Sequence, residues 1–181
     1  MTILLCTSLR PSPRTRTFCN DLVTTSFEFG YLTRGKSGLP YLAAYSKAAG
    51  ATRLWVINSR FGEPKVIECY DSTGDKPSAI ASLLVRRVQL KRELKGLSPT
   101  KTGARPLRLV KPDSSSLEGL YDALSKAMDL PGTGGDADGA PRKTVDVYIT
   151  PSEKQFAEIF FIDSSSKKPC GPSIYLEDFK W

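Results

Sequence analysis

Three arginines stand close together near the start of the chain, in the run Thr7-Ser8-Leu9-Arg10-Pro11-Ser12-Pro13-Arg14-Thr15-Arg16-Thr17-Phe18-Cys19-Asn20-Asp21-Leu22. Guanidinium forks match phosphate oxygens in geometry as well as charge. Ser12 before Pro13 reads as an N-cap and first helical position, so the arginines straddle a helix start. Free backbone N–H groups and the positive end of the helix dipole add to the attraction for anions there. Cations at that end oppose the dipole at roughly 0.3–1 kcal/mol each. A sequence serving stability alone would place acids there. The alternative is that Arg10, Arg14 and Arg16 form a solvated face. Removing Arg14 and Arg16 together is expected to weaken phosphate binding without unfolding the protein. Asp21 sits inside the same helix and is expected to pair locally, since no second carboxylate is placed to share acid–base work with it.

A second chemistry is spelled by Gly30-Tyr31-Leu32-Thr33-Arg34-Gly35-Lys36-Ser37, which fits the phosphate-loop pattern G-x-x-x-x-G-K-[ST]. Its context is poor. Phe27, Phe29 and Tyr31 alternate as a strand through the first glycine, and Pro40 delays the following helix. No apolar strand ends in a clear metal-holding aspartate. Pro131-Gly132-Thr133-Gly134-Gly135 follows a helix, lacks an adjacent lysine and reads as linker. The chain has no histidine, which excludes Ser-His-Asp and Cys-His nucleophile activation within it. Cys6, Cys19, Cys69 and Cys170 form no C-x-x-C pair, so a structural zinc site is not expected. Cys6 and Cys69 lie in apolar runs and read as small core residues in a reducing compartment. No enzymatic role, metal or cofactor is expected.

Charge is unevenly spread. Residues 1–113 hold 19 Lys/Arg against 8 Asp/Glu, and residues 114–181 hold 7 against 11. A basic half suits a polyanion, without separating RNA from DNA or an acidic protein. Arg86, Arg87, Lys91, Arg92, Lys95, Lys101, Arg105, Arg108 and Lys111 face only Glu93 over one stretch. They either track a phosphate backbone or form in part a solvated helix face. Tyr31, Tyr41, Tyr45, Trp55 and Phe61 could stack on bases, although core positions are the simpler expectation for most. The longest apolar runs are too short to span a membrane, and the N-terminus does not read as a leader.

The elements that must position these residues form an α/β pattern. Strands are expected at Thr2 to Thr7, around Phe27 to Tyr31, at Leu54 to Ile57, and at Lys65 to Tyr70 after a turn at Gly62-Glu63-Pro64. Leu39 to Ala49 reads as a helix ended by Gly50. Ile80 to Leu90 could be helix or strand. After the Gly/Pro-marked stretch from Gly96 to Pro106 the pattern restarts. A strand at Leu107 to Val110 leads to a helix from about Leu117 to Met128, capped by Ser114-Ser115-Ser116. A flexible loop follows near 131–141, then strands at Val145 to Ile149, Phe156 to Ile162 and Ile174 to Phe179. The expectation is two similar α/β halves, 1–103 and 104–181, which share a core or pack side by side.

The Thr7–Leu22 segment resembles the opening signature of the Brix family, in which a strand runs into Thr-Ser-basic-x-Pro-Ser, then basic and hydroxyl residues, then Phe and Asp-Leu. Arg34-Gly35-Lys36 before Leu39 is similar to a second family element. Gly171-Pro172 before Ile174-Tyr175-Leu176 is similar to a third. The resemblance covers essentially the whole chain. Leu9 and Asn20 stand where basic residues are common and trim positive charge from the implied RNA face, whereas Ser173, where a basic residue is expected after Gly-Pro, weakens the case for RNA contact by the C-terminal motif. The resemblance implies a compact archaeal-type ribosome biogenesis factor. It implies two tandem halves like anticodon-binding domains, and a role binding ribosomal RNA or its precursor during processing and subunit assembly. Other assembly proteins are further implied partners, in the cytoplasm. The residues expected to meet RNA are Arg10, Arg14, Arg16, Arg34 and Lys36, with Arg60 and Lys65 behind them. A phosphate-loop enzyme using Gly30–Ser37 and a protein–protein adaptor remain the alternatives.

Overall fold

The computed structural model describes residues 2–98, 101–130 and 143–181. Their strands and helices alternate as β1 (Ile3–Thr7), α1 (Pro13–Val23), β2 (Phe29–Tyr31), α2 (Leu39–Ala48), β3 (Arg53–Arg60), β4 (Glu63–Asp71) and β5 (Ser78–Gln89). The chain continues through β6 (Leu107–Leu109), α3 (Glu118–Met128), β7 (Val145–Ser152), β8 (Gln155–Asp163) and β9 (Ser173–Lys180). The expected loop near 131–141 lies outside the described residues.

All nine strands join one curled sheet in the order β2-β1-β3-β4-β5-β9-β8-β7-β6. β1 lies parallel to both β2 and β3, between them. It is buried on both faces, as such strands are. Ile3 and Leu5 enter the main core, whereas Leu4 and Cys6 enter a second, smaller one with Leu42 and Ala43 of α2. The main core gathers residues from Ile3 to Leu176, with α1 and α3 contributing Phe18, Leu22, Leu120 and Leu124. A shared core, not two packed side by side, is therefore what forms. The strand pattern of one parallel pair followed by two antiparallel ones occurs twice, as β1-β3-β4-β5 and as β6-β7-β8-β9. The two runs meet along β5 and β9. Helix α3 crosses back onto the first run, where the Trp55 indole N–H donates to Ala127 O at 2.9 Å.

Two local expectations resolve differently from the pattern. Ile80 to Leu90 is strand, and its ambiguity has a cause. Ala81, Leu83 and Val85 face the core at period two. The pairing with β9 then shifts between Val85 and Arg87, and Val88 and Leu90 take up the inward phase. That irregularity breaks the alternation a strand would otherwise show. Ser114 to Ser116 do not cap α3. Residues Ser115–Leu117 form a 3-10 turn, Leu117 occupies the N-cap, and the Ser114 hydroxyl pairs with that of Ser116.

Candidate nucleic-acid interface

The three parallel strands release their chains at one edge of the sheet, the carboxyl edge where open α/β sheets take their ligands. After β1 comes Ser8-Leu9-Arg10, and after β2 comes the loop carrying Arg34 and Lys36. Ser8, Leu9, Arg10, Arg34 and Asn58 line an open hollow of about 600 Å³ at this edge. The Ser8 N–H donates to Ile57 O at 3.0 Å, which fixes the exit of β1. Arg34 Nε donates to Ser37 O at 2.9 Å, while the Ser37 N–H returns to Arg34 O at 3.1 Å. This closes the loop and leaves the two terminal nitrogens of Arg34 without a partner among the described residues. Arg10 and Lys36 are exposed and form no ion pair among them. Asn58 is oriented by donating to Glu68 at 2.9 Å.

The N-cap expectation for α1 holds. Ser12 Oγ accepts the Thr15 N–H at 3.1 Å, with Pro13 at the first helical position. The same hydroxyl donates to Gly62 O at 2.6 Å, so the helix start is tied to the tip of the β3–β4 hairpin. Arg14 deepens that tie. Its Nε meets Glu63 at 2.7 Å, its Nη2 meets both Glu93 at 2.8 Å and Val88 O at 2.9 Å, and its Nη1 meets Glu93. All three nitrogens are committed inside the protein, so removing Arg14 costs stability, contrary to what the sequence suggests. Arg16 is exposed and makes one contact, from Nη2 to Pro11 O at 3.3 Å. Asp21 does not pair locally as expected; its partner lies 70 residues further along the chain. It accepts the Lys91 N–H at 2.9 Å and so caps the short turn after β5, and burial pushes its carboxyl upward.

Arg60 and Lys65 leave the hollow. Arg60 lies against the Phe61 ring at 5.0 Å on the hairpin tip. Lys65 Nζ reaches across to Arg86 O at 3.2 Å on β5. The Gly30–Ser37 segment is not wrapped as a phosphate loop. Gly30 is a strand residue aligned with Leu4, and α2 begins only at Leu39 with Gly38 as its N-cap. Lys36 therefore precedes the helix instead of sitting in its first turn.

Four of the nine cations from Arg86 to Lys111 meet carboxylates of the acidic second half. Arg105 meets the fully buried Asp163, Arg108 meets the fully buried Asp146 at 2.6 Å, Arg86 meets Glu177 at 2.9 Å, and Lys111 meets Glu118 at 3.7 Å. Arg87 lies over the Tyr175 ring at 4.1 Å. Of these pairs Arg86–Glu177 joins the two strand runs, whereas Arg105, Arg108 and Lys111 pair within the part of the fold that holds the second. Hydrogen bonds from Ser166, the Ser165 N–H and Ser98, together with Arg105, hold the Asp163 carboxyl well below the usual carboxylate range against the opposing effect of burial.

The late Gly-Pro step is a packing device. A Cβ on Gly171 would lie 2.8 Å from the Phe161 ring, and Ser173 is buried in β9. All four cysteines are buried and unpaired. Burial pushes Cys6 and Cys19 up to about 12, which fits core packing and not thiolate chemistry. Among the described residues no cluster of three or more His, Cys, Asp or Glu could hold a metal, and no helix is long and apolar enough to cross a membrane.

Sequence reasoning missed Ser8 and Asn58 as lining residues and underrated Phe61. Of the five aromatics, Trp55 is core, Tyr31 is half-buried, and Tyr41, Tyr45 and Phe61 are exposed. The signal for Phe61 was present in Phe61-Gly62, because a two-residue hairpin turn exposes what it carries.

No family model matches the chain. A probable Brix domain-containing ribosomal biogenesis protein of Aeropyrum pernix is 38% identical over 112 residues, covering 57% of this chain and 61% of the relative. One from Methanopyrus kandleri is 25% identical over 97% of this chain and 93% of its own length. A Pyrococcus horikoshii protein of the same description is 34% identical over 54% of this chain and 44% of its own length. The matched stretches thus span less than two thirds of the Aeropyrum and Pyrococcus relatives. Among solved structures, the probable ribosomal biogenesis protein from Aeropyrum pernix K1 superposes with a TM-score of 0.83 at 29% identity, covering 98% of this chain and 96% of that one. Mil, an archaeal Imp4-like protein, shares the fold with a TM-score of 0.70 at 21% identity and 98% coverage of both chains. In sequence and in fold the chain is a homologue of Brix domain-containing ribosomal biogenesis proteins, as its Thr7–Leu22 signature implied.

Proposed function

We propose that this protein binds ribosomal RNA or its precursor during processing and subunit assembly, without catalysing a reaction. The observation that carries the reading is the meeting of Arg10 and Arg34 at one open hollow. They have free guanidinium nitrogens, and the exposed Lys36 stands on the same loop. Among the described residues Arg14, Arg53, Arg86, Arg105 and Arg108 are paired with carboxylates of the protein itself, whereas Arg10 and Arg34 are not and line one hollow together. A wide, shallow hollow suits a polymer backbone that passes across it better than a small nucleotide that must be enclosed. Arg16 and Arg60 extend the contact surface along the start of α1 and the hairpin tip. Lys65 adds charge on β4, and Arg14 holds the surface in shape. The names of the relatives support ribosome biogenesis as the setting. Other assembly proteins as further partners and the cytoplasm as the place are part of the proposal. A duplicated anticodon-binding-like unit, with halves 1–103 and 104–181, accords with the recurring strand pattern.

Binding of the purified protein to ribosomal RNA fragments tiled along the small and large subunit sequences, at two salt concentrations and with or without Mg-ATP, tests the reading. Tight, salt-sensitive and ATP-indifferent binding to particular fragments is expected. Binding gated by ATP and lost on Lys36→Ala would instead favour a nucleotide enzyme. Absence of RNA binding would favour a protein–protein adaptor.

A further inference from the structure

Phe61 is 88% exposed at the tip of the β3–β4 hairpin. Its φ is +52°, and that of Gly62 is +82°. Arg60 and Glu63 pair across the tip, so Phe61 and Gly62 are the two central residues of a two-residue turn. A turn with both central residues at positive φ favours Asn-Gly or Asp-Gly, because a bulky side chain is strained there. Phenylalanine at this point is therefore unfavourable twice over, once in backbone strain and once in exposed aromatic surface, and nothing in the core benefits. Strained, over-determined residues of this kind cluster at ligand contacts.

The position of the tip is fixed from two sides. Ser12 Oγ donates to Gly62 O at 2.6 Å, and Arg14 Nε meets Glu63 at 2.7 Å. These bonds hold the hairpin tip against the start of α1, whose N-cap Ser12 follows Arg10 by two residues in the chain. Arg60 lies against the ring at 5.0 Å, which stiffens it and adds a cation next to a flat apolar face. A projecting aromatic with the Arg60 guanidinium against it matches the chemistry of single-stranded RNA, whose splayed bases stack on rings while arginines take the phosphates. A continuous duplex offers no free base face to such a ring.

We propose that Phe61, three residues past the hollow-lining Asn58 in the chain, is a stacking finger for an unpaired RNA base, so that the ligand is looped, bulged or single-stranded RNA. This rests on the RNA-binding reading above. The test compares wild type, Phe61→Asn, Phe61→Ala and Phe61→Trp on the tightest-binding ribosomal RNA fragment, carrying 2-aminopurine at successive unpaired positions, and on the same fragment annealed to its full complement. Asparagine suits the turn, so Phe61→Asn is expected to melt at or above the wild-type temperature. Both Phe61→Asn and Phe61→Ala are expected to lose about 5- to 150-fold in affinity for the unpaired fragment. Neither should lose affinity for the duplex. One 2-aminopurine position is expected to be quenched by wild type and Phe61→Trp but not by Phe61→Asn. Undiminished binding by Phe61→Asn, or an equal loss on the duplex, overturns the finger while leaving the RNA reading intact. Failure of the wild type to bind any fragment overturns both.

Discussion

Arg14 and Glu93, 79 residues apart in the chain, form a two-pronged ion pair that fastens the start of α1 to the short turn following β5. Arg14 also holds Glu63 on the hairpin, so one guanidinium joins three segments around the candidate interface. Arg14→Ala is expected to lower stability by about 1–3 kcal/mol, because charged partners are left without their hydrogen bonds. A urea melt measures this. The pair also sets a pH dependence. Arg14 holds the Glu93 carboxyl down at about 2, from an ordinary value of 4.5. A depressed carboxylate stabilises the fold above its unfolded value, and that contribution is lost as pH falls from about 4.5 toward 2. Glu93→Gln should therefore flatten the acid side of the stability profile over that window. An unchanged profile would contradict the assignment.

Asp163 offers a second test. It is fully buried, paired with Arg105, and hydrogen-bonded by Ser98 at 2.9 Å and by Ser166 at 2.8 Å. Asp163→Ala leaves Arg105 nearly buried and unpaired, and is expected to cost about 3–5 kcal/mol in chemical denaturation. Because the pair is shielded from solvent, the loss should change little between low and high salt.

Gly171 supplies a third. Its Cβ would meet the Phe161 ring at 2.8 Å, too close for either to stay in place. Gly171→Ala is expected to cost about 1–3 kcal/mol through overpacking. Adding Phe161→Leu should recover part of it, and a thermal melt of the double variant against the two singles shows whether the two positions couple.

Much of the fold was legible because it is written in short-range pattern. The Ile3-Leu4-Leu5 run announced a strand buried on both faces, and Ser12-Pro13 announced the start of α1. What escaped was non-local or broken in phase. Nothing near Arg14 in sequence points to Glu63 or Glu93. The shift in pairing between Val85 and Arg87 hid a strand behind a mixed pattern. The basic run from Arg86 to Lys111 suggested a polyanion track, yet Asp146, Asp163 and Glu177 lie far along the chain and meet it only after folding. The candidate site was legible in part. Arg10 and Arg34 come from separate motifs, and only the parallel pairing of β1 with its two neighbours brings them to one edge.

Arg10 and Arg34, which form no ion pair among the described residues, are proposed to take RNA phosphates at one hollow. The most direct measurement is the affinity of the Arg10→Ala, Arg34→Ala double variant for the tightest-binding ribosomal RNA fragment across a salt series, beside a melting curve. Weaker binding at low salt is expected, with stability lowered by no more than the loss of the single Arg34–Ser37 hydrogen bond, about 1 kcal/mol. The slope of log affinity against log salt is expected to be shallower by about 1.4, since each single-strand phosphate that a cation no longer neutralises removes about 0.7. Wild-type affinity with an unchanged salt slope would rule out phosphate contact by these two arginines.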